Sequence, residues 1–592
     1  MTPPATLTAA FQETASRNPH NIALSTPDGS TRITWRQYAE RVQTLATGLA
    51  ALGVEPGHTV GLMLTNRPEF HLFDTAILHT GGTPFSIYNT LAPGQMAHLF
   101  ANAANHVVVC ERQFLDQVRA ATAATDTSVE HVVCIDAEVE GTISLAELEA
   151  GRSEHFDFAK TWQAVQPSDV LTIIYTSGTT GPPKGVEITH ANMLAELDAT
   201  TGIVPITPAD TVISYLPDAH IANRWGTHYN SLLTGMQVVT LADMKQMLTV
   251  LPTVRPTFFG AVPQVWYKLK AGIEAQLAAE KSPVKRRLAR WAIDIGRQRA
   301  RLESDRKPVP WALAAQHAIA ERLVLGAVRS RLGLDRVRFA ATGAAAIDPE
   351  ALEFVLGLGL PVCELWGMSE LSCAATVNPP DAVRIGTVGT ALRNVELRIA
   401  DDGELLVRGP IVMKGYRKEP QKTADAIDGE GWLHTGDIAT IDDDGYVRIV
   451  DRKKELMINA TGKNMSPANI EGTVKVSCPL AGSIVAIGDN RPYVVALLTL
   501  DPDALAAFAS AHGKADTSPA GLADDPDVRA ALETGIKEAN SRLARVEQIK
   551  KFVILPVVWE PGGDEVTPTM KLKRKPIAAK YADRIEELYA AS

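Results

Sequence analysis

At 592 residues the chain exceeds what one hydrophobic core serves, so two to four domains are expected. Its 45% hydrophobic and 21% charged residues are the composition of a globular enzyme, and the formal net charge of −10 argues against general nucleic-acid affinity. Five scattered cysteines (Cys110, Cys134, Cys363, Cys373, Cys478) without CxxC spacing give neither a zinc site nor a disulfide framework. With no signal-peptide pattern and no run near the ~18 apolar residues of a spanning helix, a cytoplasmic protein is expected, at most peripheral to a membrane.

In chain order, 34–53 sets Tyr38, Val42, Leu45, Leu49 and Leu52 at three- and four-residue steps before Gly53, predicting a helix and its stop. TVGLML (59–64) reads as a buried strand and 69–82 as a helix. The alternation recurs at 212–216, 237–241, 257–262, 336–342 and 360–367, predicting mostly parallel, helix-covered sheets. Between lies 281–307, with ten Lys or Arg against three acids. It reads either as a solvated helix face or as a contact with an anionic bilayer. After about residue 385, VELRIA, ELLVRG and GYVRIV with Asp-Gly turns predict a more antiparallel subdomain. Beyond DRKKELM the tail has its own strands and helices. The expected fold is thus α/β: a large N-terminal domain, 1–450, of mostly parallel sheets plus a distorted β subdomain. A small mobile α+β domain, 451–592, follows a hinge at about 451–455.

The segment LTIIYTSGTTGPPKGVEITH (171–190) carries an apolar run into a cluster of Thr, Ser and Gly ending at Lys184, before a helix-like stretch. Gly178, Gly181 and Gly185 lack Walker A spacing, and glycine follows the lysine where a hydroxyl would stand. The physics of a phosphate loop still holds, with glycines for close backbone approach and donors from Thr176, Ser177, Thr179 and Thr180.

YTSGTTGPPKGV closely resembles the phosphate-loop signature of the adenylate-forming superfamily, and further motifs in the expected order extend the resemblance over nearly the whole chain. It implies that Gly343, Ala344 and Ala345 of ATGAAAID, with Trp366 of ELWGMSE and the adjoining Gly367, Met368 and Ser369, hold the adenine end of ATP. Glu370, with Thr176, is implied to hold Mg²⁺ on the phosphates, since Mg²⁺ takes only one or two carboxylates and keeps waters. Asp437 of GWLHTGDIA would accept the ribose hydroxyls, its two oxygens suiting a cis-diol. In DRKKE, Arg452 would lie near the nucleotide and Lys454 at the hinge. Lys571 of TPTMKLKR would be the adenylation lysine, and Met570, in place of the usual glycine, points to long-chain members.

SYLPDAHIANRWG (214–226) and RPTFFGAVPQVWYKL (255–269) resemble the acid-pocket segments of long-chain and very-long-chain, bubblegum-like acyl-CoA synthetases, so His220 and Trp225 are expected at the acyl tunnel. Asp218, Asn223 and Gln264 depart from that pattern, and a buried carboxylate near an anionic substrate is unfavourable unless paired or protonated. The implied reaction is adenylation of a fatty acid by ATP, then thioester formation with CoA, by a monomer or homodimer. A carrier-protein acceptor is one alternative. Another is a catalytically silent lipid-binding member, whose mark would be loss of Glu370, Asp437 or Lys571; all three are present.

Overall fold

The structure, a computed structural model, describes residues 4–124, 127–176, 182–459, 463–560, 562–567 and 571–590. The predicted helix forms over Trp35–Ala51, started by a Thr34–Gln37 capping box and followed by Gly53 at φ +81°. It packs on helix Pro68–His79, whose residues are buried nearly throughout.

Strands Thr83–Ser86, Thr59–Met63, Val107–Cys110, His131–Cys134 and Ile143–Ser144 form one all-parallel sheet in that spatial order. A second sheet sets Thr211–Ser214 parallel to Gln237–Thr240. A third runs Phe258–Ala261, Phe339–Thr342 and Val362–Trp366 in parallel. Thr257 N donates to Thr211 O at 2.9 Å, so these two sheets adjoin. The antiparallel subdomain is the four-stranded sheet Glu396–Ile399, Glu404–Arg408, Leu433–Ile441 and Val447–Arg452.

The last of these strands continues to Arg452, two residues past the expected boundary, and Lys454 is exposed in the turn that follows. The C-terminal unit then builds its own core, in which strands Ala481–Ile487, Val494–Leu500 and Ile549–Ile554 are covered by helices Pro467–Ser477 and Pro526–Arg542. It meets the large unit through Lys268–Asp503 at 2.9 Å and Arg542–Glu350 at 3.0 Å.

The stretch after Lys184 is not helical. Lys184–Thr189 is a strand paired antiparallel with Val170–Thr176, and the helix starts only at His190. Val186, Ile188 and their neighbours are buried against the core, and this tertiary packing decides the conformation. Ser177, Gly178, Thr179, Thr180 and Gly181 lie outside the described residues.

Candidate active site

Thr176 and Lys184 are cross-strand partners, so the segment between them joins two antiparallel strands. The Lys184 ammonium sits 4.5 Å from the centre of the Tyr416 ring. Tyr416 OH in turn donates to Glu370 Oε1 at 2.8 Å. Glu370 is buried in the turn Ser369–Leu371, directly after strand Val362–Trp366. Lysine, tyrosine and glutamate therefore form a chain from the loop to the expected metal-binding carboxylate.

At the end of the same strand, Trp366 Nε1 donates to Asp437 Oδ2 at 2.7 Å. Arg452 Nε meets the other oxygen, Oδ1, at 2.7 Å, because Asp437 and Arg452 are opposed on neighbouring strands. Burial raises the Asp437 carboxyl above its ordinary value, against the opposing pull of Arg452, Trp366 and Lys571. Residues 343–346 leave the carboxyl end of the neighbouring parallel strand, where ligands of α/β sheets bind. Ala344 takes φ +67°. Gly367 is obligatory, since a Cβ there would lie 1.8 Å from Cys373 O. Beneath this segment Glu364 accepts from Ile347 N at 3.3 Å, and burial pushes its carboxyl up to about 8.

Lys571 arrives from the other domain. Thr567 N donates to Lys571 O at 2.8 Å and Lys571 N to Thr567 Oγ1 at 3.0 Å, closing a turn. Arg574, three residues on, holds Glu471 through both Nη atoms at 2.6 and 2.8 Å and Glu455 through Nε at 3.3 Å. This fixes the lysine-bearing turn to the residue next to Lys454. Lys571 remains open to solvent, yet dense protein surrounds its ammonium. That burial, then Arg452, lowers its pKa, while Asp437, Glu370 and Glu455 act to raise it. Met570 lies outside the described residues.

The acid-pocket segment also meets Lys571. Burial and then the Lys571 charge lower the His220 imidazole to about 4, so it is neutral at pH 7. Its Nδ1 accepts from Ala222 N at 3.1 Å, which places the ring proton on Nε2. Trp225 lies in a π-helical turn, Arg224–Tyr229, with its indole nitrogen buried and unpartnered among the described residues. Asp218 and Asn223 explain each other: Asn223 Nδ2 donates to Asp218 Oδ1 at 2.6 Å and to Ser214 Oγ at 2.9 Å. Burial pushes the Asp218 carboxyl up to about 8 despite Arg224, so it is paired and, at neutral pH, mostly protonated. Gln264 is half-buried at the start of helix Pro263–Ala279, and nothing in the structure explains its departure from the pattern.

The AMP-binding enzyme family matches residues 11–417, and the AMP-binding enzyme C-terminal domain matches 454–592. The chain belongs to the AMP-binding enzymes. It is 55% identical over 452 residues to a putative fatty-acid–CoA ligase, fadD11, of Mycobacterium tuberculosis, covering 76% of this chain and 79% of that one. It is 34% identical to the long-chain-fatty-acid–CoA ligase FadD15 of Mycobacterium bovis, over 94% of this chain and 92% of that one. With the long-chain-fatty-acid–CoA ligase ACSBG2 of Xenopus laevis it shares 32%, over 99% and 84%. Among solved structures, the anthranilate CoA ligase AuaEII in complex with anthranoyl-AMP superposes with TM-score 0.73 at 18% identity, over 98% of both chains. ATP-bound MatB from Rhodopseudomonas palustris gives 0.70 at 23%, over 98% of this chain and 99% of that one. These two show the shared fold.

In this AMP-binding enzyme, then, Glu370, Trp366, Asp437, Arg452, Lys571 and His220 share one region, with Lys184 reaching it through Tyr416. Sequence reasoning missed Tyr416, which lies with Gly415 in a two-residue strand paired with Lys184–Thr189 and carries little local signal. It also missed the buried set below the acid segment. Arg224 there meets Asp74 at 2.5 Å, Tyr229 at 2.7 Å and Ser86 at 2.9 Å, and His228 meets Asp74 at 2.9 Å and His71 at 2.9 Å. Burial works to raise the Asp74 carboxyl, but Arg224 and His228 prevail and hold it below the usual range. Removing either partner of such a pair strands a charge in the core.

Proposed function

We propose that this AMP-binding enzyme is a long-chain fatty-acid–CoA ligase that forms acyl-AMP and pyrophosphate from ATP, then the acyl thioester of CoA. The observation that carries the adenylation reading is the meeting of Lys571, from the second domain, with Asp437 and Glu370 of the first. A carboxylate oxygen attacks the α-phosphorus and the bond to pyrophosphate breaks, so negative charge moves outward along the phosphates. A cation at Lys571 stabilises that redistribution. Asp437, oriented by Trp366 and Arg452, accepts the ribose hydroxyls, and residues 343–345 with 366–369 flank the base.

Among the described residues, no three His, Cys, Asp or Glu side chains gather to hold a metal ion on their own. One buried carboxylate, Glu370, together with Thr176 at the loop, fits a Mg²⁺ that arrives on the nucleotide and takes most of its ligands from phosphate and water. Bound there, Mg²⁺ would screen phosphate charge. Tyr416, by holding one Glu370 oxygen, fixes how the carboxylate presents the other. Neutral His220 offers an Nε2–H donor to the substrate carboxyl, and its neutrality avoids adding a further cation beside Lys571 and Arg452.

The long-chain reading draws support from the names of FadD15 and ACSBG2 and from the match over nearly the full length. For thioester formation the second domain turns about Lys454, withdrawing Lys571. The deciding experiment is pyrophosphate release over acids of graded chain length, with CoA, with a phosphopantetheinyl carrier, and with no acceptor. Release that rises with chain length and turnover that requires CoA support the reading. A flat response refutes the acyl assignment, and preference for the carrier refutes the acceptor.

A further inference from the structure

Helices Pro283–Ser304 and Trp311–Ala320 form an antiparallel hairpin, linked by Arg299 Nη1 and His317 Nδ1 at 3.0 Å. The first helix buries Ala292, Ile293, Ile295 and Gly296, packing on helix Pro349–Gly357. The second helix is apolar where it meets water, and Val284 of the first is exposed too. Trp311 is 84% exposed, Val284 75%, Leu323 56% and Ile319 53%. Trp311, Ala315 and Ile319 recur every four residues with no charged residue in 311–320, and Leu323 follows beyond Glu321 and Arg322. Single exposed apolar residues need no explanation, but a contiguous stripe marks an interaction face.

Charge selects the partner. The basic run expected to act as one face divides into two. Its C-terminal half is engaged: Arg297 and Arg301 with Glu353 at 2.9 and 2.8 Å, Arg299 with Glu303 at 2.8 Å, and Arg306 with Asp444 at 3.3 Å. The N-terminal half holds Lys281, Lys285, Arg286, Arg287 and Arg290 with no acidic residue from 281 to 293 and, among the described residues, no ion pair. Val284 and Leu288, one helical turn apart, stand among these cations. A chain of net charge −10 thus keeps a local cluster of uncompensated cations interleaved with exposed aliphatic side chains.

We propose that this hairpin docks the enzyme on an anionic lipid bilayer. Lipid phosphates and carboxylates would answer the cations, the acyl boundary would take the Val284, Ile319 and Leu323 side chains, and Trp311 suits the headgroup level. A second copy pairing through the same cluster would oppose like charges, and nucleic acid offers no apolar layer for the stripe. The inference does not rest on the chain length of the substrate, because it concerns the free enzyme.

The test is co-sedimentation of the full chain, without substrates, with phosphatidylcholine vesicles lacking or containing phosphatidylserine. Binding should require phosphatidylserine and fall with added salt. A Lys285→Glu/Arg287→Glu/Arg290→Glu variant should bind at least about tenfold more weakly. Trp311→Ser/Leu323→Ser should weaken binding too, with pyrophosphate release on a water-soluble acid unchanged in both variants. No vesicle binding, equal binding to neutral vesicles, or wild-type binding by the charge-reversed variant would overturn the proposal. So would a dimer abolished by Trp311→Ser in the absence of vesicle binding, since it would assign the stripe to self-association.

Discussion

Asp437 and Arg452 face each other across two antiparallel strands, with the guanidinium Nε 2.7 Å from the carboxylate Oδ1. One carboxylate thereby fixes an arginine and, through its second oxygen, the Trp366 indole.

Asp437→Asn keeps the shape of this junction and removes its charge. A charge-assisted hydrogen bond is worth about 1.5–3 kcal/mol, so the KM for ATP is expected to rise about tenfold or more. The KM for the acid should barely move. Titrating each substrate at saturating levels of the others measures both, and an unchanged ATP value would count against the ribose role.

Lys571→Ala separates the two half-reactions. The variant is expected to lose pyrophosphate exchange and to retain thioester formation from preformed acyl-AMP. Equal loss of both steps in single-turnover assays would sink the assignment.

Asp218 has a consequence for stability. Its carboxyl is raised from 3.8 to about 8, so between those values the folded chain holds a proton that the unfolded chain has released. This group's contribution is therefore greatest below pH 4, declines as pH rises, and levels off above pH 8. Asp218→Asn removes the decline. The variant should match wild type near pH 4 and exceed it increasingly up to pH 8, by at most about 1.4 kcal/mol per pH unit. Parallel Tm differences at all pH values would refute this.

The contacts Lys268–Asp503 and Arg542–Glu350 lie between the domains and exist in the arrangement that brings Lys571 to Asp437. Exposed pairs contribute about 0.2–1 kcal/mol each. Lys268→Ala/Arg542→Ala should therefore slow pyrophosphate exchange about two- to thirtyfold, while thioester formation from acyl-AMP stays level or rises. Equal slowing of both halves would argue against a shift in domain balance.

Much of the scaffold was legible because its signals are local. The helix Trp35–Ala51 announces itself by apolar spacing, its cap at Thr34 and its stop at Gly53, and Asp-Gly turns marked the antiparallel sheet. Lys184–Thr189 is a strand, as the alternation of Val186 and Ile188 requires, although the glycine-rich loop before it suggests a helix beyond. Asp218 was read as an anomaly, since its partner Asn223 becomes one only when the intervening turn folds. Arg224 and Asp74 lie 150 residues apart, so no local periodicity could join them. Lys571 and Asp437 were connected by the order of motifs, not by any pattern in the residues around them.

The hairpin closed by Thr176 and Lys184 bears on how the two steps are sequenced. Thr176 and Lys184 pair on antiparallel strands, whose dipoles largely cancel. Side-chain cations then add to what backbone and hydroxyl donors offer a triphosphate, and Lys571 sits on the second domain. A bound triphosphate would then act as its own fastener, drawing the small domain inward with the charge it carries. Small-angle scattering should record greater compaction with a non-hydrolysable ATP analogue than with an acyl-AMP analogue, and equal compaction would contradict this. When pyrophosphate leaves, it carries away most of that attraction, so the product of the first step also releases the clasp that held the domains for it.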